Sequence, residues 1–199
     1  WSGADNGDPE FLKWNGDPDD AGYSPDRQSW AILTATQNRI RTAIGARSEP
    51  TIDEILDSST DLGRAVRHLL TAETSCYWYW DRSENGIWDS HPARASNLAL
   101  ATVDPILTGV SDESVPPTIY PPQRQPYNPG AIEWGTVPEV EDLSVWTFVY
   151  DVSGLRRVQL HYRYDDDGQL TRANELFDRG DWCTVDMTGE TWTPQTDPT

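Results

Sequence analysis

The chain has 199 residues, with 33 Asp and Glu against 15 Lys and Arg, giving a formal net charge of −18. Like charge excludes nucleic acid, whose phosphates would be repelled, and anionic membrane surfaces. No apolar run approaches the ~20 residues of a membrane span, and the length suits one domain or two small ones.

Residues 1–23 are rich in Gly, Asp, Asn and Pro, with Trp1, Phe11, Trp14 and Tyr23 interspersed, which is loop chemistry. Ser24-Pro25 predicts a helix start, with Ser as N-cap and Pro at the first helical position. Trp30, Leu33, Ile40 and Ile44 share one face, and Gly45 is the expected stop. Thr51 with Glu54 three residues on reads as a capping box before Ile52, Ile55 and Leu56. Ser58 to Asp61 restarts the helix. Leu62, Ala65, Val66, Leu69 and Leu70 then form an apolar stripe. A further helix is expected from about Ser90, with Pro92 in its first turn. It carries Ala95, Leu98, Ala99, Ala101 and Val103 and ends near Pro105.

The pattern then changes. Residues 108–142 are acidic and Pro-rich, including Pro116-Pro117 and Pro121-Pro122, and read as an extended connector. From Val145 the period is two. Trp146, Phe148 and Tyr150 alternate with their neighbours, and so do Val158, Leu160, Tyr162 and Tyr164. Asp151 to Gly154 and Asp165 to Gly168 are expected turns, and Trp182 to Met187 a further strand. The fold class is therefore α+β: a substrate loop at 1–23, a helical bundle at 24–107, a connector at 108–142, and an antiparallel, sandwich-like β region at 143–199.

Lys13 is the only lysine. Many acids with arginine as the main base suit a salt-adapted source, although acidic secreted proteins share this composition. The compartment stays open between cytoplasm and secretion. Salt screens self-repulsion, so the melting temperature is expected to fall as the Debye length grows from ~3 Å at ~1 M salt to ~30 Å at ~0.01 M. A flat melting temperature across that range would remove the salt-adaptation reading. Cys76 and Cys183 are the only cysteines; one pair is no disulfide scaffold, and two buried thiols are the expectation. His68, His91 and His161 are scattered, without zinc spacing, so no metal or cofactor is expected. Asp165-Asp166-Asp167-Gly168 and Asp17-Pro18-Asp19-Asp20 lack the alternating ligands of a calcium loop and read as acidic turns.

The densest chemistry lies in Glu73-Thr74-Ser75-Cys76-Tyr77-Trp78-Tyr79-Trp80-Asp81, four aromatics in a row with carboxylates at both ends. Trp and Tyr offer flat apolar faces with a polar edge, as sugar rings do. Two readings compete. Either the run plugs a helix end into the core, or it stacks on carbohydrate, with Trp80 as first choice of platform and Trp78 as alternative. The N-terminal loop adds Trp1, Asp5, Asp8 and Trp14, with glycines that let a ligand approach the backbone. Trp1 or Trp14 is expected to meet Trp78 or Trp80 in space. His68 and Glu73 read as a surface histidine and a capping acid rather than an acid–base pair.

Trp1-Ser2-Gly3, Gly7-Asp8 and Trp14, followed by a helix carrying Trp30, resemble the late active-site segment of glycoside hydrolase family 57. Ala72-Glu73-Thr74-Ser75 resembles that family's Ala-Glu-x-Ser segment, which also leads into clustered Trp. The resemblance spans about residues 1–107; the β part resembles the accessory sandwich of long members more weakly. Pro9 stands where the family often has His, and the spacing from Trp1 to Trp14 is longer. The resemblance implies the C-terminal part of a (β/α)7-barrel enzyme that acts on α-glucans with retention. Its nucleophile Glu and acid Asp would lie upstream. No carboxylate pair for retaining hydrolysis, about 5 Å apart, can be nominated here. No catalytic residue is therefore assigned, and the missing barrel is an expected partner.

The first residue is Trp1 rather than Met, which reads as processing or as a piece of a longer protein. The leading function is thus a segment lining the sugar cleft of such a glycosidase, inactive by itself. A stand-alone carbohydrate-binding or surface module is the second reading, and a purely structural, salt-adapted interaction domain the third.

Overall fold

The computed structural model describes residues 25–47, 50–75, 78, 87–110, 113–125, 142–163 and 182–190. Four helices come first: α1 (Pro25–Gly45), α2 (Ile52–Leu56), α3 (Asp61–Ala72) and α4 (Ile87–Leu107). Six short strands follow: β1 (Thr118–Ile119), β2 (Gln123–Gln125), β3 (Ser144–Trp146), β4 (Val149–Tyr150), β5 (Gln159–Tyr162) and β6 (Cys183–Asp186). The chain divides into two compact units, one of residues 1–154 and 192–199, the other of residues 155–191. The architecture is mixed α+β. Among the described residues the strands form three two-stranded antiparallel ladders, and neither a sandwich nor a barrel is formed. No described helix is long and apolar enough to cross a membrane.

In the first unit α1, α3 and α4 pack against one another. Their main core joins Ile40 and Ala43 of α1, Leu62, Ala65 and Val66 of α3, and Ala99 and Val103 of α4. Three alanines at the contact, each fully buried, let the backbones approach closely. A second cluster joins Leu33, Ala72, Trp78 and Ala95, with Trp30 and Leu69 packed on it. The expected stripe on α3 holds except for Leu70, which is exposed. On α4 the inward face is Pro92, Ala95, Ser96, Ala99 and Val103; Leu98 and Ala101 point to solvent. That helix begins at Ile87, so Pro92 stands beyond the first turn.

Helix α1 is buried on most sides between residues 32 and 43, yet it carries several polar residues there. Thr34 and Thr36 satisfy themselves within the helix, donating to the carbonyls of Trp30 and Ile32 at 2.8 Å each. Asn38, fully buried, instead reaches outward. Its amide donates to the Pro116 carbonyl at 3.3 Å, and its Oδ1 accepts from the Val152 backbone at 3.0 Å. One side chain thereby ties the helix to both β segments that cross it. Arg39 adds an ion pair to Asp104 of α4 at 2.6 Å and lies over the Tyr150 ring.

The capping box at Thr51 forms as expected, with Glu54 Oε2 accepting from the Thr51 backbone at 2.7 Å. These bonds hold the Glu54 carboxyl below the ordinary glutamate range. A lowered folded-state value means stabilisation that is present above the unfolded value and lost as pH falls through the folded one. Acid titration of stability should therefore flatten in Glu54→Gln through that window. An unchanged acid limb would mean that the box contributes nothing.

Part of the expected connector is paired. β1 lies antiparallel to β4 (Thr118↔Tyr150), and β2 to β3 (Gln123↔Trp146). From Ile119 to Gln123 is four residues, whereas from Val149 back to Trp146 is three, so one extra residue bulges at Tyr120-Pro121-Pro122. Proline cannot donate to a ladder, which is why pairing lapses there. The Tyr120 backbone still donates to the Phe148 carbonyl at 2.8 Å, and the Thr147 hydroxyl bonds the Tyr120 carbonyl. The single strand expected from Val145 to Tyr150 is split at this point. The turn Asp151 to Gly154 closes as expected, with Gly154 at φ 91, a left-handed value that favours glycine.

The second unit is a ribbon. β5 pairs with β6 in the register Gln159↔Asp186, Leu160↔Val185, His161↔Thr184 and Tyr162↔Cys183. The Cys183 thiol is free and half-buried. The expected turn at Asp165 to Gly168, and Cys76, lie outside the described residues.

Candidate functional site

The end of α3 is where the aromatic run begins, and its backbone is fully accounted for. A helix leaves its last four carbonyls without intrahelical donors. Here Leu69 O accepts from the Glu73 backbone at 3.0 Å and Leu70 O from the Thr74 hydroxyl at 3.1 Å. Thr71 O accepts from the Thr74 backbone at 3.1 Å, and Ala72 O from the Trp78 indole at 2.8 Å. Trp78 is thus a C-terminal cap as well as an aromatic side chain. Glu73, the C-cap residue, places a carboxylate at the negative end of the helix, and the Gln37 amide of α1 donates to it at 2.8 Å. Two of the sequence-predicted site residues, Glu73 and Trp78, therefore share one helix end.

Trp78 does not offer an open face. It is 7% exposed, and its ring stacks on Trp30 at 3.9 Å between centroids and 19° between planes. The expectation of Trp78 as an alternative sugar platform meets this geometry: it packs as a core residue with its N–H engaged. Trp1, Asp5, Asp8, Trp14, Trp80 and Asp81 lie outside the described residues, as does the expected meeting of the N-terminal loop with the run.

The stack continues into the strands. Trp30 lies 5.0 Å from Tyr120, Tyr120 5.8 Å from Trp146 at 14°, and Trp146 5.4 Å from Phe148, edge to face. Arg27 of α1 sits 4.2 Å over the Trp146 ring. Among the described residues the result is a string of five rings running from the end of α3, across α1, to β3 and Phe148. Tyr120 is buried, while Trp30, Trp146 and Phe148 are half-buried. The Trp146 N–H, next to Phe148 in the string, is buried without a hydrogen-bond partner. Sequence reasoning placed Trp30 on a helix face and Trp146 and Phe148 on one strand face, and missed that they join. The signal was the alternation of Trp146, Phe148 and Tyr150 on one strand face. Nothing local marked Tyr120.

No cluster of His, Cys, Asp and Glu among the described residues could hold a metal. No family model and no solved structure match the chain. Over 116 residues it is 27% identical to a protein described as alpha-amylase from Niallia circulans. That stretch is 55% of this chain and 9% of the relative, so the chain spans under a tenth of the relative's length.

Proposed function

We propose that this chain is the α-glucan-handling, C-terminal part of a glycoside hydrolase of the family 57 type, lining the sugar cleft without carrying the catalytic carboxylate pair. The aromatic string at the end of the helical bundle supports this reading most directly, since linked Trp and Tyr rings can brace a surface that stacks on pyranose faces. The likeness to an alpha-amylase points to the same substrate class. Trp78 is committed to packing, so within the run Trp80 is the stacking ring, with Glu73 and Asp81 as acceptors. Trp1, Asp5, Asp8 and Trp14 of the N-terminal segment are the further sugar-binding residues in this reading. The catalytic barrel is supplied by a partner segment, and the chain alone has no turnover.

Stacking dominates affinity because removed apolar area contributes ~25 cal/mol per Å², while each hydrogen bond nets only ~1 kcal/mol. Trp80→Ala should weaken binding of maltooligosaccharides by about tenfold or more, with the melting temperature nearly unchanged. Titration calorimetry beside a thermal melt reads both. Unfolding of the variant would place Trp80 in the core with Trp78 and remove the site.

A second reading, a stand-alone carbohydrate-binding module, draws on the small share of the alpha-amylase that is matched. The intact mass of the source protein separates the two.

A further inference from the structure

The β5–β6 ribbon has two chemically distinct faces, because successive side chains alternate. One face is apolar: Leu160 opposite Val185 and Tyr162 opposite Cys183. The other face is made of paired polar groups, and each cross-strand pair is closed by a contact. Gln159 Nε2 donates to Asp186 Oδ1 at 2.8 Å. His161 Nδ1 and the Thr184 hydroxyl are 3.0 Å apart. One step further along, the Arg163 guanidinium lies 5.4 Å from the centre of the Trp182 ring. Trp182 is 57% exposed, the largest exposed ring among the described residues. Trp is highly buried on average, so a ring this exposed is accessible for stacking.

We infer that this face of the ribbon is a second α-glucan contact, with Trp182 as stacking platform and the His161–Thr184 and Gln159–Asp186 pairs as hydrogen-bonding rungs. The inference rests on the carbohydrate reading above but assigns a site that it does not use. Three features select the ligand. The chain's charge of −18 opposes anionic partners. The face mixes donors and acceptors around one flat apolar ring, which matches a neutral polyhydroxylated ring rather than a lipid or an apolar helix. Rungs repeat at ~7 Å along a strand pair, so the face extends beyond one sugar and favours an oligosaccharide over a monosaccharide. The cross-strand bonds hold the polar groups in place before binding, which lowers the ordering cost.

The test uses the whole chain and maltooligosaccharides of increasing length, followed by calorimetry, with Trp182→Ala, Trp182→Tyr and Trp80→Ala in parallel. Amide exchange at Leu160 and Val185 reports whether the ribbon is intact. Trp182→Ala should weaken binding of the longer oligosaccharides by about tenfold, with glucose little affected. Trp182→Tyr should restore most of it. If Trp182→Ala leaves affinity unchanged while Trp80→Ala abolishes it, this site is overturned and the cleft reading stands. If Trp182→Ala alone abolishes binding, the ribbon is the sugar site and the cleft reading falls. If wild-type chain binds no glucan, both fall, and the exposed Trp182 is left to a protein partner. If Trp182→Ala melts the ribbon, Trp182→Leu keeps apolar bulk without a ring, and a folded Trp182→Leu ribbon with unchanged glucan binding makes the ring's role structural, so that the inference fails.

Discussion

Trp78→Ala is expected to lower the unfolding free energy by ~3–5 kcal/mol, the range for deleting a buried indole. Three losses combine. The ring gives up its stack on Trp30 and its place beside Leu33, Ala72 and Ala95. The Ala72 carbonyl loses the indole donor that caps it, and an orphaned buried acceptor costs ~1–3 kcal/mol. Trp30 then loses a ring that holds it between α3 and Tyr120, so the damage should extend along the string. Trp78→Phe separates these terms, because it keeps an aromatic face and removes the N–H; its cost should be well below that of alanine. Urea unfolding with unchanged slope gives both numbers. A Trp78→Ala protein of native stability with weakened glucan binding would make Trp78 a surface platform and overturn the packing described above.

Much of the helical half was readable because its signals are local. The Thr51–Glu54 capping box, the limits of α1 and the turn at Asp151 to Gly154 all depend on residues within a few positions of one another. Core stripes were readable in phase, with an error where the α3 stripe was drawn too wide, at Leu70. The paired part of the connector was not readable. β1 and β2 are two and three residues long, and Pro121-Pro122 interrupts them; their partners stand 19 to 32 residues away. A short segment that pairs only through its backbone leaves no periodicity behind. The same reason hid the string of rings. Trp30, Trp78, Tyr120 and Trp146 come from four separate stretches, and only tertiary packing joins them. The aromatic run itself was visible, but density of rings does not say which is buried. For Trp78 that was decided by the need of α3 for a donor at its last carbonyl.

Gly63→Ala sets two known effects against each other. Gly63 is the third residue of α3, buried, and Thr60 caps its backbone N–H at 3.0 Å. Helix propensity favours the change, since alanine is better than glycine by ~1 kcal/mol in a helix. Space opposes it. A Cβ at this position would lie 1.9 Å from the Asp57 carbonyl oxygen and 2.4 Å from its carbon, which are backbone atoms and cannot swing aside. That carbonyl accepts from the Thr60 backbone at 3.0 Å and from the Thr60 hydroxyl at 2.9 Å. The Asp57 carboxylate in turn accepts from the Ser59 backbone at 2.9 Å, which holds its pKa below the ordinary aspartate range. Moving Asp57 far enough to admit a methyl group therefore breaks the turn that joins α2 to α3, with about three hydrogen bonds at ~1 kcal/mol each. The clash outweighs the propensity gain, and Gly63→Ala should destabilise by about 2 kcal/mol or more, with Gly63→Ser at least as costly. A thermal melt read with circular dichroism decides the sign. Stabilisation by alanine would mean that the Asp57 turn yields freely and that the contact at Gly63 does not constrain the entry into α3.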